Sequence, residues 1–423
     1  MNNIKLFGLP AEKGRWVLIP LGMTVLLCLG TVYSWSIFRK PLEKLLSINA
    51  TDSLLPFTVL LVVFSILMPI TGFYIDRFGS RVIIAAGGVV MGIGYVLSSF
   101  VNNIYMLVLT YGVIAGIGVG MAYGVPLAVV AKWFPDKKGI AVGLTVIGFG
   151  LSPLITAPIA KSLIDSPTVG VQKTFLILGV AFIAIVIAIS TTLVTPPKGW
   201  KPLGWNPHTA VRNGTLADNG EMLGTSAFYG LWLCYGIGTF VGLAAIGTAS
   251  SVGQEIIKLD AKTAAFTVSL FAVFNGLGRL VFGWVTDKFT PKFAAIATYV
   301  LIIIASIMMI SAGEGSVATF LIAFSLFQFA FGGWLAIAPT STLTMFKPED
   351  YAKNYGIVFT AFGAGALGGT LLAGRIRDIF GSYTSFFYPT AILAIVGIFL
   401  AVFMLKRSLT ISGTSEKEIN TKV

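Results

Sequence analysis

Apolar stretches close to 20 residues long recur along this chain from end to end. A helix rises 1.5 Å per residue, so about 20 apolar residues cross the ~30 Å hydrocarbon core of a bilayer. Twelve such stretches can be read along the 423 residues, roughly at 16–38, 54–75, 82–100, 105–131, 139–163, 174–195, 225–250, 263–286, 293–312, 316–344, 354–374 and 383–405. In lipid every backbone N–H and C=O needs a partner within its own segment, so each stretch is expected to be helical. The expected fold class is an all-α membrane protein of twelve transmembrane helices. Composition agrees, with 56% hydrophobic and 11% charged residues and a mean hydropathy of +0.89. Soluble domains carry roughly 25% charged residues. Six prolines (Pro56, Pro69, Pro126, Pro153, Pro158 and Pro339) fall inside spans, where neighbouring helices satisfy the freed backbone groups. The first stretch has no small-residue cleavage site close behind it and reads as a span.

The longest interior polar stretch, Pro196 to Leu223, divides the spans six and six. Its Pro, Gly and Asn content reads as a linker. The expected organisation is a first six-helix bundle over 1–195, a linker over 196–224, a second bundle over 225–406 and a tail over 407–423. Net charge is +12. The basic residues sit in loops, so membrane topology explains them and nucleic acid is not an expected partner. With both termini on one side, that side carries 19 of the 29 Lys and Arg and the other carries 9. The richer side is expected to be cytoplasmic, in a cell membrane. Cys28, Cys234 and the lone His208 have no metal-ligand spacing, and no cofactor, metal or obligate protein partner is expected.

Arg279 is the one charged residue read well inside an apolar span, in SLFAVFNGLGRLVFGWVTDK (Ser269 to Lys288). A charge at membrane depth costs a few kcal/mol or more, which makes it a functional-site hypothesis by default. Asn275 lies one turn away on the same face. A guanidinium grips a carboxylate through two parallel hydrogen bonds, and an amide N–H can add a third. The competing reading is an arginine paired with helix carbonyls or reaching toward the membrane edge near Asp287.

The two halves repeat. GFYIDRFGSR (Gly72 to Arg81) follows span 2, and GWVTDKFTPK (Gly283 to Lys292) follows span 8. KWFPDKKGIAVG after span 4 is matched by MFKPEDYAKNYGIV after span 10. GFYIDRFGSR resembles the span 2–3 loop motif of the major facilitator superfamily, through Gly72, Asp76, Arg77, Gly79 and Arg81. The second copy keeps Gly283, Asp287 and Lys288 but has Thr290 and Pro291 where Gly is usual. The resemblance implies two pseudo-symmetric six-helix bundles with a substrate site between them near the midplane. It also implies that Asp76, Arg77, Asp287 and Lys288 act as gate charges that hold the outward-facing state.

GTVYSWSIFRKPL, YGVPLAVVAKWFPDKKGIAVGLTVIGFG and FNGLGRLVFGWVTDK are similar to the monocarboxylate and oxalate:formate porter family. Animal members place Asp, three residues, then Arg in span 8; here the pair is Asn275 and Arg279. Oxalate-handling members carry a lysine in span 11 where this chain has Phe362. The resemblance therefore implies Arg279 as carboxylate binder, with neither the acid nor the second cation. One cation suits one carboxylate, since a second in a dry site stays unpaired. Tyr33, Tyr123, Phe331, Trp334, Phe359 and Phe362 are expected to line the cavity, with Leu27 and Leu144; ordinary helix packing is the bland alternative for each. Gln328 is expected to bond a neighbouring helix. The expected activity is secondary transport of a small, lactate-like monocarboxylate with protons, by alternating access. An oxalate/formate-type organic anion antiporter is the alternative. No nucleophile, base or metal cluster at membrane depth points to an enzyme.

Overall fold

A computed structural model describes residues 4–197, 199–203, 222–346 and 351–405, with the side chains of 71–74, 76, 138 and 352 excepted. His208, most of the 196–224 stretch and the 407–423 tail lie outside the described residues.

Twelve helices among them are long and apolar enough to cross a membrane. They are α1 (Ala11–Leu46), α2 (Ala50–Phe78), α3 (Ser80–Ser98), α4 (Ile104–Trp133), α5 (Lys138–Asp165), α6 (Gly170–Ser190), α7 (Ser226–Glu255), α8 (Ala261–Lys288), α9 (Pro291–Ile310), α10 (Val317–Met345), α11 (Tyr351–Phe380) and α12 (Thr384–Met404). Each matches one of the twelve expected spans. Several starts are fixed by side-chain caps: Asn49, Thr225, Asp260 and Thr290 accept backbone N–H groups at the entry to α2, α7, α8 and α9. Gly79 stands alone between α2 and α3 with φ of 83°, a conformation that favours glycine. That is the physical content of the glycine in GFYIDRFGSR.

The structure departs from the sequence reading at the first span. Apolarity places its end at Phe38, but the helix runs on through Arg39, Lys40 and Pro41 to Leu46. A short hairpin, β1 (Lys5–Leu6) and β2 (Leu9–Pro10), precedes it. Its two-residue turn has positive φ at both Phe7 (54°) and Gly8 (75°). Arg15 then fastens the entry of α1 to the α4–α5 turn, donating to both Asp136 carboxylate oxygens at 2.6 and 2.9 Å and to the Trp133 carbonyl at 3.0 Å.

Three helix pairs join the first six helices to the last six: α2 lies along α11, α5 along α8, and α1 against α7. Within the first half, the approach of α1 to α5 is equally close. A Cβ on Gly30 would stand 2.3 Å from the Phe149 carbonyl oxygen. That carbonyl lacks its usual helical donor because Pro153 has no N–H. Residues 4–15 and Leu405 lie at one end of the bundle, the terminal face. The α1–α2, α7–α8 and α11–α12 connections lie at the other, the opposite face.

Candidate functional site

Besides Arg15 at the entry of α1, two arginines of the described spans are buried, Arg39 and Arg279, and their hydrogen bonds separate them. Arg39, fully buried, was expected in a loop and is the larger correction to the sequence reading. Its Nε donates to Ser53 Oγ at 2.9 Å, and Nη1 donates to the Gly247 carbonyl and Ser251 Oγ at 3.2 Å each. Its Nη2 donates to Glu43 and the Ala50 carbonyl at 3.2 Å and to Tyr383 Oη at 2.8 Å. Every nitrogen has an acceptor, so Arg39 is a structural cation. The sequence signal for it is the Arg39–Glu43 spacing of one helical turn.

Arg279, 5% exposed, is built differently. Its Nε donates to Asn275 Oδ1 at 3.3 Å, and its Nη1 donates across the half boundary to the Val146 carbonyl of α5 at 2.9 Å. Its Nη2 is buried with no hydrogen-bond partner. Asn275 is in turn oriented by Gln328, whose Oε1 accepts at 3.3 Å while its Nε2 donates to the Gly242 carbonyl at 3.2 Å. Gln328 thus bonds neighbouring helices, as expected. An unpaired buried donor on a cation is costly and rare in finished structures. The carbonyl-pairing alternative left open by the sequence holds for Nη1 alone.

The guanidinium lies against Gly150 of α5. A Cβ there would stand 2.5 Å from Asn275 Oδ1 and 3.1 Å from Arg279 Nη2. Rings from both halves close around it. Tyr33 packs on Phe149 (centroids 4.9 Å) and Phe331 (5.9 Å). Tyr123 packs on Phe149 (5.2 Å) and on Phe64 (5.0 Å). Phe359 and Phe362 stack on each other at 5.0 Å and both meet Phe64 edge-on. The Tyr33 hydroxyl lies within electrostatic reach of Arg279, and the Tyr123 hydroxyl is close enough to accept from its guanidinium after a small shift. A small void of about 20 Å³, lined by Tyr33, Gly150, Asn275 and Gln328 among others, sits beside this cluster. That volume holds about one water, so any organic substrate requires the helices to part.

Of the expected lining residues, Tyr33, Tyr123, Phe331, Phe359 and Phe362 are brought together with Arg279 and Asn275. Trp334 is fully buried but stands behind the cluster, packed between Tyr235 and Tyr299 over Gly238. Leu27 is half-buried and contributes its carbonyl, which accepts from Ser152 Oγ at 2.6 Å. Leu144 is 39% exposed on the outer stripe of α5 with Ile140 and Ile155. Depth alone suggested it; the helix rotation points it outward. Sequence reasoning missed Gly150, Phe64 and Phe149, because their roles depend on helix approach and not on residue type.

The gate charges lie apart from this site, at the terminal face. Arg77, Asp287 and Lys288 are exposed; the Asp76 side chain is outside the described residues. Lys288 rests over the Trp284 and Phe289 rings and Arg77 over Phe78. Among the described residues no ion pair joins the two motif copies. Among the described residues the ion pair that joins the halves is at the opposite face, where Lys40 of α1 pairs with Glu255 of α7; Arg377 of α11, in the same half as Glu255, pairs with it too.

The profile of one family, Major Facilitator Superfamily, matches residues 20–344 and 233–421. The chain belongs to the major facilitator superfamily. It is accordingly a multi-pass membrane transporter and not an enzyme. The oxalate:formate antiporter of Oxalobacter formigenes is 28% identical over 396 residues, 93% of this chain and 92% of that one. Monocarboxylate transporter 1 of Mus musculus is 24% identical over 406 residues, 88% of this chain and 80% of that one. Among solved structures, an inward-facing, occupied bacterial homologue of the lysosomal transporter Spinster superposes with a TM-score of 0.72. It is 16% identical, covering 93% of this chain and 97% of that one. That likeness bears on the fold alone, and agrees with the twelve-helix superfamily architecture.

Proposed function

We propose that this superfamily member carries a small monocarboxylate, such as lactate, by alternating access, with Arg279 as the carboxylate binder. The observation that carries the reading is the buried Nη2 of Arg279 that has no acceptor, on a cation oriented by Asn275 and Gln328. The names borne by the two relatives, one for oxalate and formate and one for monocarboxylates, support a small carboxylate as cargo, and the single cation Arg279 favours one carboxylate over two.

In this reading the carboxylate first meets Nη2. A bidentate grip then takes Nη1 from the Val146 carbonyl. That exchange removes a hydrogen bond between α5 and α8, so substrate binding loosens one tie between the halves. The bundles over 1–195 and 225–406 rock about the site, with 196–224 as linker and 407–423 as tail. The terminal face is cytoplasmic, from the basic-residue bias, in a cell membrane. With the opposite face closed by the Lys40–Glu255 pair, Asp287, without an ion pair among the described residues, and exposed Arg77 at the terminal face are what gate charges for the other state require.

Coupling to protons accompanies this reading, the proton travelling on the carboxylate or at the gate acids. A second reading, obligatory exchange of organic anions, is favoured by one feature. Among the described residues no Asp, Glu, His or Lys lines the void or the ring cluster. Uptake of labelled lactate into liposomes containing the protein separates the two. Stimulation by an imposed proton gradient in empty liposomes supports symport; uptake that needs internal substrate supports exchange. Arg279→Lys keeps the charge but loses the planar fork, and is expected to cut uptake at least about tenfold. Undiminished carboxylate uptake by Arg279→Ala would falsify the assignment.

A further inference from the structure

Tyr235 has no part in the reading above. It is fully buried in α7, its ring 6.3 Å from both Trp334 and Phe359. Three turns along the same stripe of the helix is Ile246, which lines the central void. The Tyr235 hydroxyl is buried and has no hydrogen-bond partner. The Tyr355 hydroxyl is near enough to pair with it when either side chain shifts slightly, and the hydroxyls of Tyr33 and Tyr123 and the Arg279 guanidinium lie within its electrostatic reach. A phenylalanine would pack equally well on Trp334 and Phe359 and leave no polar atom unsatisfied. Tyr235 Oη and Arg279 Nη2, on α7 and α8, are thus buried donors without acceptors within electrostatic reach of each other, and Trp334 Nε1 behind them is a third.

We propose that Tyr235 is a specificity-determining residue that reads a second oxygen of the substrate, the 2-hydroxyl or 2-oxo oxygen of a short carboxylate held by Arg279. The inference rests on the carboxylate reading of Arg279. Charge selects the kind of oxygen. Among the described residues Arg279 is the one cation amid these rings, so a second carboxylate has no counter-ion there. A neutral oxygen suits a phenol, which donates to a ketone and either donates to or accepts from an alcohol. Size selects the chain length, because the void that Tyr33, Gly150, Ile246 and Asn275 help to line beside the ring cluster is only about 20 Å³ before the helices part. A donor left unpaired by an analogue lacking the oxygen is what makes such a site discriminate.

The test uses the full-length protein in liposomes, with lactate, pyruvate and propionate competing against labelled lactate. Thermal stabilisation of the purified protein by each acid gives a second measure of binding. Lactate and pyruvate are expected to bind about tenfold more tightly than propionate, the worth of one buried neutral hydrogen bond. Tyr235→Phe is expected to weaken both by about tenfold and to leave propionate unchanged, which also reports an intact Arg279 site. Propionate binding the wild-type protein as tightly as lactate, or a Tyr235→Phe protein that keeps the preference, overturns the role of Tyr235 and leaves the Arg279 reading standing. If none of the three acids binds, both readings fall.

Discussion

Gly150 is where one atom decides the geometry of the site. A methyl group there stands 2.5 Å from Asn275 Oδ1, so Asn275 or the guanidinium beside it must shift. Gly150→Ala is expected to raise the KM for the carboxylate about tenfold, a displacement of the cation being enough for that. The fold should tolerate the change, since the atoms met are side-chain ends. Uptake kinetics with a melting curve on the same preparation would check this, and an unchanged KM would sink it. Arg279 was legible in the sequence because a charge in an apolar run is costly and conspicuous. Gly150 was not, because its importance comes from a helix in the other half. Leu144 fails for a related reason: depth along a helix can be read from the sequence, while rotation about its axis needs the neighbours that fix it.

At the scale of elements, the twelve spans were legible and their ends were not. Apolarity ended α1 before Arg39, yet the helix carries that arginine inward because Ser53, Glu43, Gly247, Ser251 and Tyr383 supply its acceptors. Those partners come from four separate segments, and no local pattern announces them. The other end of α1 is held by Arg15, whose hydrogen bonds hold the Asp136 carboxyl below its ordinary value. A carboxylate with a depressed folded pKa stabilises the fold above its unfolded value of 3.8, and that contribution is lost as pH falls through the folded value. The clamp is therefore expected to be fully formed from pH 5 to 8 and to loosen only near pH 4 and below. Asp136→Asn should lower the melting temperature at neutral pH by a few degrees and narrow the gap to wild type as the solution is acidified. Melting curves of both proteins across that range decide it; a gap that stays constant to pH 3 would remove Asp136 titration as the cause.

For the whole molecule, the six-plus-six division was legible through loop motifs that repeat, and the contacts that hold one state were not. Glu255 of α7 pairs with Lys40 of α1 and Arg377 of α11, and Asp378 of α11 accepts the Ala50 and Thr51 backbone N–H groups at the start of α2. Buried Thr58 and Thr370 hydroxyls continue the join along α2 and α11. Opening the opposite face must break the links that run from α1 and α2 to α7 and α11, so these set the balance between the two access states, while the Glu255–Arg377 pair braces one half internally. The Lys40 and Arg377 side chains are about one-third exposed. Screened pairs of this kind are worth about 1 kcal/mol or less each. Glu255→Gln removes the Lys40 pair that crosses the halves and is expected to raise the population open at the opposite face by up to roughly fivefold. A cysteine placed at Ala249, 3% exposed and lining the void, reports that opening. Both native cysteines are buried and give a low background. A membrane-impermeant maleimide outside sealed right-side-out vesicles should label Ala249→Cys several-fold faster when Glu255→Gln is present. Equal labelling rates with and without Glu255→Gln, in proteins of equal melting temperature, would mean that the ion pairs decorate the opposite face without holding it shut. The hydrogen bonds of Arg39 across α1, α7 and the α11–α12 turn would then be the contacts that close it.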